Sequence, residues 1–190
     1  MYPRLHIYVN VSCHIFLSFF RLESEMQNRK LGGEGRTVEV DETKVGRRKN
    51  HKGRVVDGSW VFGLIDRETG ELRLELCPNN KRDAGTLTEL IKKHCEPGTL
   101  IMSDCWRGYN RLEDEGFQHL TVNHSRFFID PTTGAHTQRI ESSWRALKRR
   151  LSRGGIRKQD FGLHFAEYLW FMRYSEDPFL SLVSHISELY

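Results

Sequence analysis

The chain has 190 residues and a mass of 22.3 kDa, and 38% of its residues are hydrophobic while 28% are charged. This length fits one domain with a tail, and the composition excludes a disordered or collagen-like chain. The formal net charge is +4, but the window from Arg139 to Lys158 holds eight basic residues and one acid, Glu141. A basic patch built around a single carboxylate favours a polyanionic partner.

The amino-terminal segment is apolar but short. Residues Ile7 to Phe20 form the most apolar stretch, and it falls below the roughly 20 residues that a membrane-spanning helix needs. We interpret it as a strand or helix that packs on the body, with a secretory signal as the weaker alternative. The glycine-rich, charged segment from Glu23 to Arg36 is predicted to be a linker. The chain therefore divides into an amino-terminal remnant with its linker, residues 1–36, and a main domain, residues 37–190.

The cysteines give no sign of a metal-binding ribbon. Cys13, Cys77, Cys95 and Cys105 form no CxxC pair, and their spacing is not that of a secreted disulfide framework. We expect reduced thiols in an intracellular protein.

Hydrophobic periodicity predicts that strands and helices alternate in the body. A basic loop is expected from Lys44 to Arg54. The order β-β-β-α-β-α-β-α-α predicts an α/β fold with a five-stranded mixed sheet, its first three strands antiparallel, flanked by helices. The ribonuclease-H-like fold has this order. The predicted strands are Thr37–Asp41, Ser59–Ile65, Glu71–Leu76, Thr99–Ser103 and Phe117–Asn123, and the predicted helices are Arg82–His94, Tyr109–Glu115, Gln138–Arg153 and Phe161–Tyr174.

Three acidic residues stand where this fold would bring them together. Asp41 ends the first predicted strand, Asp104 ends the fourth, and Glu141 lies in the helix from Gln138. The first and fourth strands are neighbours at the centre of a ribonuclease-H-like sheet, so the two aspartates would meet. Three carboxylates suit two Mg²⁺ ions, which together drive phosphodiester cleavage. Acids at strand ends are often only solvated, and the pattern alone leaves that alternative open.

The helix from Gln138 is predicted to combine a metal ligand with phosphate-binding side chains. Glu141 and Lys148 are two turns apart and share a face, with Arg145 between them. Trp144 belongs to the apolar stripe of the helix and favours a core position over base stacking. A solvated basic face with a Glu141–Arg145 pair is the alternative. The predicted DNA-binding residues are Lys148, Arg145, Arg149, Lys44, Arg47, Arg48 and Lys49.

Three ordered sequence blocks resemble a known family. They read VEVDETKVGRRKNHKGRVVDGSWVFGLID, GTLIMSDCWRGYNRL and HLTVNHSRFFIDPTTGAHTQRIESSWRALKRRL. Over about residues 27–174 the chain resembles the ISXO-like insertion-sequence transposase domain, a DDE-type family with a ribonuclease-H-like core. The resemblance implies that Asp41, Asp104 and Glu141 are the catalytic triad and bind Mg²⁺, or Mn²⁺ as a substitute. It also implies that Lys148 is the basic partner of the glutamate.

The resemblance further implies a DNA strand-cleaving and strand-transferring enzyme. It would act on transposon ends and target DNA as a homodimer or larger assembly, without a membrane. It would lie in the nucleus of a eukaryote, or in the cytoplasm or nucleoid of a bacterium. His124, His136 and Gln138 match recurrent positions of the family and are predicted as auxiliary residues.

Relatives usually carry an amino-terminal zinc ribbon or helix-turn-helix, and residues 1–36 show no such module. We therefore expect weak, mostly electrostatic DNA binding with little sequence preference. Two alternatives stay open. One is a catalytically silent or domesticated DNA-binding protein that keeps the transposase fold. The other is a ribonuclease-H-like nuclease that acts on RNA or hybrids.

Overall fold

The computed structural model describes residues 29–46, 58–151, 156, 158–174 and 176–187. They belong to two compact units. The first covers Arg29–Gln159, and the described part of the second begins at Asp160. The apolar amino-terminal segment from Ile7 to Phe20 lies outside the described residues.

A five-stranded mixed sheet forms the centre of the first unit. Its strand order is β4-β3-β2-β6-β7, in which β2, β3 and β4 are antiparallel neighbours and β6 and β7 run parallel to β2. The predicted α/β architecture and its ribonuclease-H-like topology are confirmed. The strands are β1 (Leu31–Gly32), β2 (Thr37–Val45), β3 (Ser59–Asp66), β4 (Leu72–Leu76), β5 (Cys95–Glu96), β6 (Leu100–Asp104) and β7 (Gln118–Val122).

The helices follow the predicted order, except that one predicted helix is replaced by 3-10 turns and a further helix, not predicted, lies at Pro178–Ser187. The segment from Tyr109 to Glu115 forms two 3-10 turns, at Arg107–Tyr109 and Glu113–Glu115, instead of the predicted short helix. Tyr109 and Leu112 are both fully buried, and a three-residue repeat brings positions i and i+3 to one side. The helices are α1 (Ala84–His94), α2 (Gln138–Leu151), α3 (Phe161–Arg173) and α4 (Pro178–Ser187), and further 3-10 turns lie at Pro78–Asn80 and Lys158–Asp160.

The alternation of β2 divides the unit into an apolar side and a polar side. Val38 and Val40 are fully buried in a cluster that includes Leu87 and Ile91 of α1. Successive side chains of a strand point to opposite faces. Glu39 and the residues two positions away from it therefore face the other layer, which is formed by α2.

The short strand β1 belongs to the first unit although its segment was predicted as a linker. β1 pairs in parallel with β5, and Leu31 is buried. The carboxylate of Asp66 accepts hydrogen bonds from the Gly32 amide, at 3.2 Å, and from Arg36 Nη2, at 2.6 Å. The chain therefore joins this unit from Arg29 onward, and the domain boundary at Thr37 stays a prediction.

Gly63 of β3 lets α2 approach the sheet closely. A Cβ atom at this position would lie 2.4 Å from Trp144 Cη2 and 2.9 Å from Ile140 Cδ1. These distances are too short for any side chain. The helix can therefore pack directly on the backbone of the sheet.

The second unit is described through α3 and α4. Trp170 Nε1 donates to the Pro178 carbonyl at 3.2 Å, and the ring centroids of Trp170 and Tyr174 are 4.4 Å apart. The predicted aromatic-rich helix is confirmed. Within the described parts of the chain, no helix is long and apolar enough to cross a membrane.

Candidate active site

The sheet register places Asp41 and Asp104 toward the same end of neighbouring strands. The parallel pairing of β2 with β6 joins Thr37 to Leu100 and Glu39 to Met102. The pairs between these strands end at Glu39 and Met102, and this register, continued by two residues along both strands, would set Asp41 opposite Asp104. Paired residues of neighbouring strands point to the same face of a sheet, so both carboxylates face the layer of α2. Asp41 lies inside β2 instead of ending it, because β2 stays paired with β3 as far as Val45.

Helix α2 brings Glu141 into the electrostatic environment of these aspartates. Trp144 Nε1 donates a hydrogen bond of 2.8 Å to Asp41 Oδ2. Burial raises the pKa of Asp41 to about 6, the Trp144 hydrogen bond opposes this shift, and the charges of Asp104 and Glu141 add to it. Trp144 is buried as predicted, but its bond to Asp41 was not foreseen.

Two polar residues orient the carboxylate of Glu141. Thr137 Oγ1 donates to Glu141 Oε1 at 3.1 Å. His124 Nε2 lies 2.7 Å from Thr137 Oγ1 and 3.1 Å from Glu141 Oε1. Because the hydroxyl gives its single proton to Glu141, it accepts the Nε2 proton of His124. Thr137 was missed, although a threonine directly before a helix is a recognised start signal.

Glu39 is a buried carboxylate that links strand β2 to the start of α2. Its side chain is fully buried and accepts hydrogen bonds from Arg67 Nε at 2.8 Å and from the amides of Arg139 and Ile140, at 3.0 and 3.2 Å. The first amides of a helix have no partner within it, and a negative charge there is favourable. The strand that carries Asp41 therefore directly holds the helix that carries Glu141.

Comparison with known proteins identifies the family. Residues 30–177 match the ISXO2-like transposase domain. The chain belongs to this family. An uncharacterised transposase-like protein of Haemophilus influenzae is 28% identical over 107 residues, which cover 56% of this chain and 84% of the relative. The crystal structure of the catalytic core domain of BIV integrase is similar with a TM-score of 0.48 at 15% identity, over 78% of this chain and 93% of the integrase core.

The three predicted ligands of this transposase domain are carboxylates, which are the kind of group that binds a hard divalent cation. In the arrangement described, no three His, Cys, Asp or Glu side chains among the described residues lie close enough to hold one ion together. The predicted ligands nevertheless all offer carboxylate oxygens, which Mg²⁺ prefers. Burial, and after it the charges of Asp104 and Glu141, raise the pKa of Asp41, and a bound cation would relieve the repulsion between these charges. The assignment of Asp41, Asp104 and Glu141 as metal ligands stays a prediction.

Each predicted ligand of the transposase domain has one oxygen already fixed by a neighbouring donor. Trp144 binds Asp41 Oδ2, and the Trp106 amide binds Asp104 Oδ1 at 2.9 Å. The Thr137 hydroxyl donates to Glu141 Oε1. Such hydrogen bonds fix the orientation of metal-binding carboxylates.

The other predicted auxiliary residues lie at the start of α2. His136 Nδ1 is 3.4 Å from Glu39 Oε1, and the His136 carbonyl accepts from Arg67 Nη2 at 3.0 Å. Burial and then the nearby charge of Arg67 lower the pKa of His136. The structure therefore brings His136 to Glu39. Gln138 is exposed, and its carbonyl accepts a hydrogen bond from the Ser142 hydroxyl.

The predicted DNA-binding residues have different surroundings. Arg145, Lys148 and Arg149 are exposed on α2, and Arg145 Nη2 donates to the Ser142 hydroxyl at 3.2 Å. Lys44 lies within β2 and not in the predicted loop, because the pairing of β2 with β3 extends past it. The remaining predicted contacts, Arg47, Arg48 and Lys49, lie outside the described residues.

A further acid, Glu42, lies next to Asp41 on β2 and was given no role from the sequence. Burial raises its pKa to about 7, and the charges of Asp41 and Asp104 add to that shift. The Tyr109 hydroxyl faces this carboxyl and opposes the shift. Glu42 therefore takes up a proton near neutral pH more readily than an ordinary glutamate.

We expect Glu39→Gln to destabilise the first unit by about 3 kcal/mol, because the substitution leaves Arg67 without its buried counter-charge. It should also speed hydrogen exchange at the amides of Arg139 and Ile140. Asp66→Asn is the matched control, since Asp66 is equally buried and paired with Arg36. The control should destabilise the unit while the two α2 amides stay protected. Equal exchange in both variants would contradict the proposed link, and urea unfolding with exchange mass spectrometry measures both effects.

We expect the stability of the domain to fall as pH rises from about 4 to 6 through the contribution of Asp41. Its pKa is higher in the folded chain than in the unfolded chain, so the folded state binds the extra proton in this window. Asp41→Asn should therefore be more stable than the parent at pH 7, by about 3 kcal/mol, and equal to it below pH 4. Urea unfolding in metal-free buffer at both pH values measures the difference.

Asp66→Asn should show the opposite sign. Burial alone would raise the pKa of Asp66, but the amides of Thr69 and Gly32 and the guanidinium of Arg36 lower it overall. Its ionised form therefore contributes stability that is present above the unfolded pKa and is lost as pH falls. An Asp41→Asn variant that is less stable than the parent at pH 7 would contradict the expectation that ionised Asp41 destabilises the folded chain.

Proposed function

We propose that this transposase domain cleaves and joins DNA strands with the help of Mg²⁺, for which Mn²⁺ can substitute. The main support is the β2–β6 register, which would set Asp41 opposite Asp104 if continued by two residues, together with the hydrogen bond to Asp41 from Trp144 of the helix that carries Glu141. Membership of the ISXO2-like transposase domain family supports the same chemistry. Transposon ends and target DNA would be the substrates, and a homodimer or larger assembly would hold them.

The residues of the chain would act mainly by position. Asp41, Asp104 and Glu141 would hold the cations through the oxygens that their neighbours leave available. When bound, the cations would activate a water or a 3′ hydroxyl and stabilise the charge on the phosphate. Trp144 and the pair of His124 and Thr137 would keep two of these carboxylates oriented.

The exposed basic face of α2 would bind the DNA backbone. Arg145 and Lys148 follow Glu141 along the helix by one and two turns. A phosphate at the cation site would therefore have cationic side chains beside it. Arg149, Lys44, Arg47, Arg48 and Lys49 would supply further phosphate contacts.

Nicking of supercoiled plasmid and joining of labelled oligonucleotide ends test the proposal. The parent should do both in Mg²⁺ or Mn²⁺. Asp104→Asn and Glu141→Gln should each lose at least about 100-fold in rate, because each removes a ligand charge. Asp114→Asn, at an exposed acid of a nearby 3-10 turn, is the control and should keep the parent rate.

The same assays decide between the alternatives. A parent chain that binds DNA but neither nicks nor joins it in either cation would be the catalytically silent protein. A parent that cleaves RNA–DNA hybrids in preference to DNA duplex would be the ribonuclease-H-like nuclease. Either result would overturn the proposed activity.

We expect DNA binding to weaken linearly with the logarithm of salt concentration, because released counterions drive it. Lys148→Ala should lower the magnitude of that slope by about 0.9, the value for one lost phosphate contact. Lys92→Ala is the control, since this exposed lysine of α1 pairs with Glu115. Fluorescence anisotropy across a salt series measures both slopes. An unchanged slope for Lys148→Ala would remove α2 from the DNA interface.

A further inference from the structure

Arg82 lies between two indole rings near the candidate active site. Its guanidinium carbon is 4.3 Å from the ring centroid of Trp60 and 4.4 Å from that of Trp106. Lys44 Nζ adds a second cation 5.6 Å from the Trp60 ring. A cation that lies over the face of an indole ring is attracted to the ring electrostatically. We call these four side chains, Lys44, Trp60, Arg82 and Trp106, the aromatic stack.

The aromatic stack is joined to Asp104 through the backbone of Trp106. Trp106 follows Asp104 by two residues, and its amide donates to the Asp104 carboxylate at 2.9 Å. Trp60 and Lys44 are paired across β3 and β2, close to the carboxyl end of β2. Lys44 and Trp60 lie on the α1 face of the sheet, whereas Asp41 faces α2. The stack and the predicted metal ligands therefore approach the same edge of the sheet from opposite faces.

The indole of Trp106 is fixed in place but remains accessible. Its Nε1 donates to the Arg82 carbonyl at 3.4 Å. Gly108 leaves room for the ring, since a Cβ atom there would come within 2.7 Å of Trp106 Nε1. Despite these contacts Trp106 is 38% exposed. Trp144, whose indole donates to Asp41, is buried by comparison.

A rigid, accessible indole beside cationic side chains has the chemistry of a nucleobase platform. Nucleobases stack on aromatic rings irrespective of sequence, and arginine adds a cation–π contribution. Stacking requires an unpaired or terminal base, because the faces of paired bases are already covered by their neighbours. Such a platform would bind a nucleobase without distinguishing one base from another.

We propose that Trp106, supported by Arg82 and Trp60, stacks on an unpaired nucleobase of DNA next to the phosphodiester bond that is cleaved at Asp104. This inference rests on the proposed function and adds a subsite to it. The bound strand would place its phosphate at the acids and its neighbouring base on the indole. A duplex end opened by one or two nucleotides is the form of DNA that this subsite fits.

A double-mutant cycle between protein and DNA tests the subsite. Binding is measured by fluorescence anisotropy in EDTA buffer, with a forked duplex that has unpaired nucleotides at one end, and with the same duplex carrying an abasic residue at each unpaired position in turn. Trp106→Ala should weaken binding of the forked duplex about tenfold and leave the fully paired duplex nearly unchanged. At one unpaired position, the abasic residue should weaken DNA binding by the parent about as much as Trp106→Ala does. With that DNA, Trp106→Ala should have no further effect on binding.

Two further variants separate stacking from structure. Trp106→Leu keeps an apolar side chain against Gly108 but has no ring, and should lose as much affinity as Trp106→Ala. Trp106→Phe keeps a ring and should recover most of it. Phe171→Ala, at an aromatic residue of similar exposure in α3, is the control and should bind both duplexes like the parent.

Additive effects of the Trp106 substitution and every abasic residue would overturn the subsite. Equal weakening of forked and paired duplexes would overturn it as well, because that result indicates a general role. Since binding is measured without a divalent cation, the result is independent of cleavage. If the domain nicks DNA but shows no coupling, the proposed function stands and the subsite is wrong. If it shows the coupling but does not nick DNA, the base-stacking contact stands and the proposed function is wrong.

Discussion

The arrangement of the candidate active site depends on one buried carboxylate. Glu39 holds the first amides of α2 and the guanidinium of Arg67 at the same time. It lies on β2 two residues before Asp41, and its amide partners immediately precede Glu141. The separation between the strand acid and the helix acid is thus set by hydrogen bonds only a few residues from each. A charge buried this deeply is tolerated because it is fully paired.

The acids beyond Glu39 lack this kind of compensation. Burial and mutual repulsion raise the pKa of Asp41, and neighbouring donors fix one oxygen of each predicted ligand without neutralising its charge. Raised carboxyl pKa values of this kind are common at functional sites, since groups arranged for binding a cation are strained without one. The raised pKa of Asp41 and its proposed role as a cation ligand therefore have the same physical cause.

The two faces of the sheet serve different purposes. On one face, Val38 and Val40 pack with α1 and give the unit its core. On the other, Gly63 allows α2 to lie against the backbone, which brings Trp144 within reach of Asp41. The aromatic stack closes the edge where β2 and β6 end. A stable apolar layer thus supports a polar layer that contains the candidate chemistry.

The sequence by itself determined the order of the main strands along the chain and the polar and apolar faces of β2, because period-two alternation and ordered motifs are local properties. It also singled out three acids, whose role as metal ligands stays a prediction. It could not determine that Tyr109 to Glu115 would form 3-10 turns, since that depends on how deeply Tyr109 and Leu112 are buried. Only the tertiary structure revealed the contacts of Glu39, Thr137 and the aromatic stack. Their partners are distant in sequence, as with Glu39 and Arg139, and only the folded chain brings such groups within hydrogen-bonding distance.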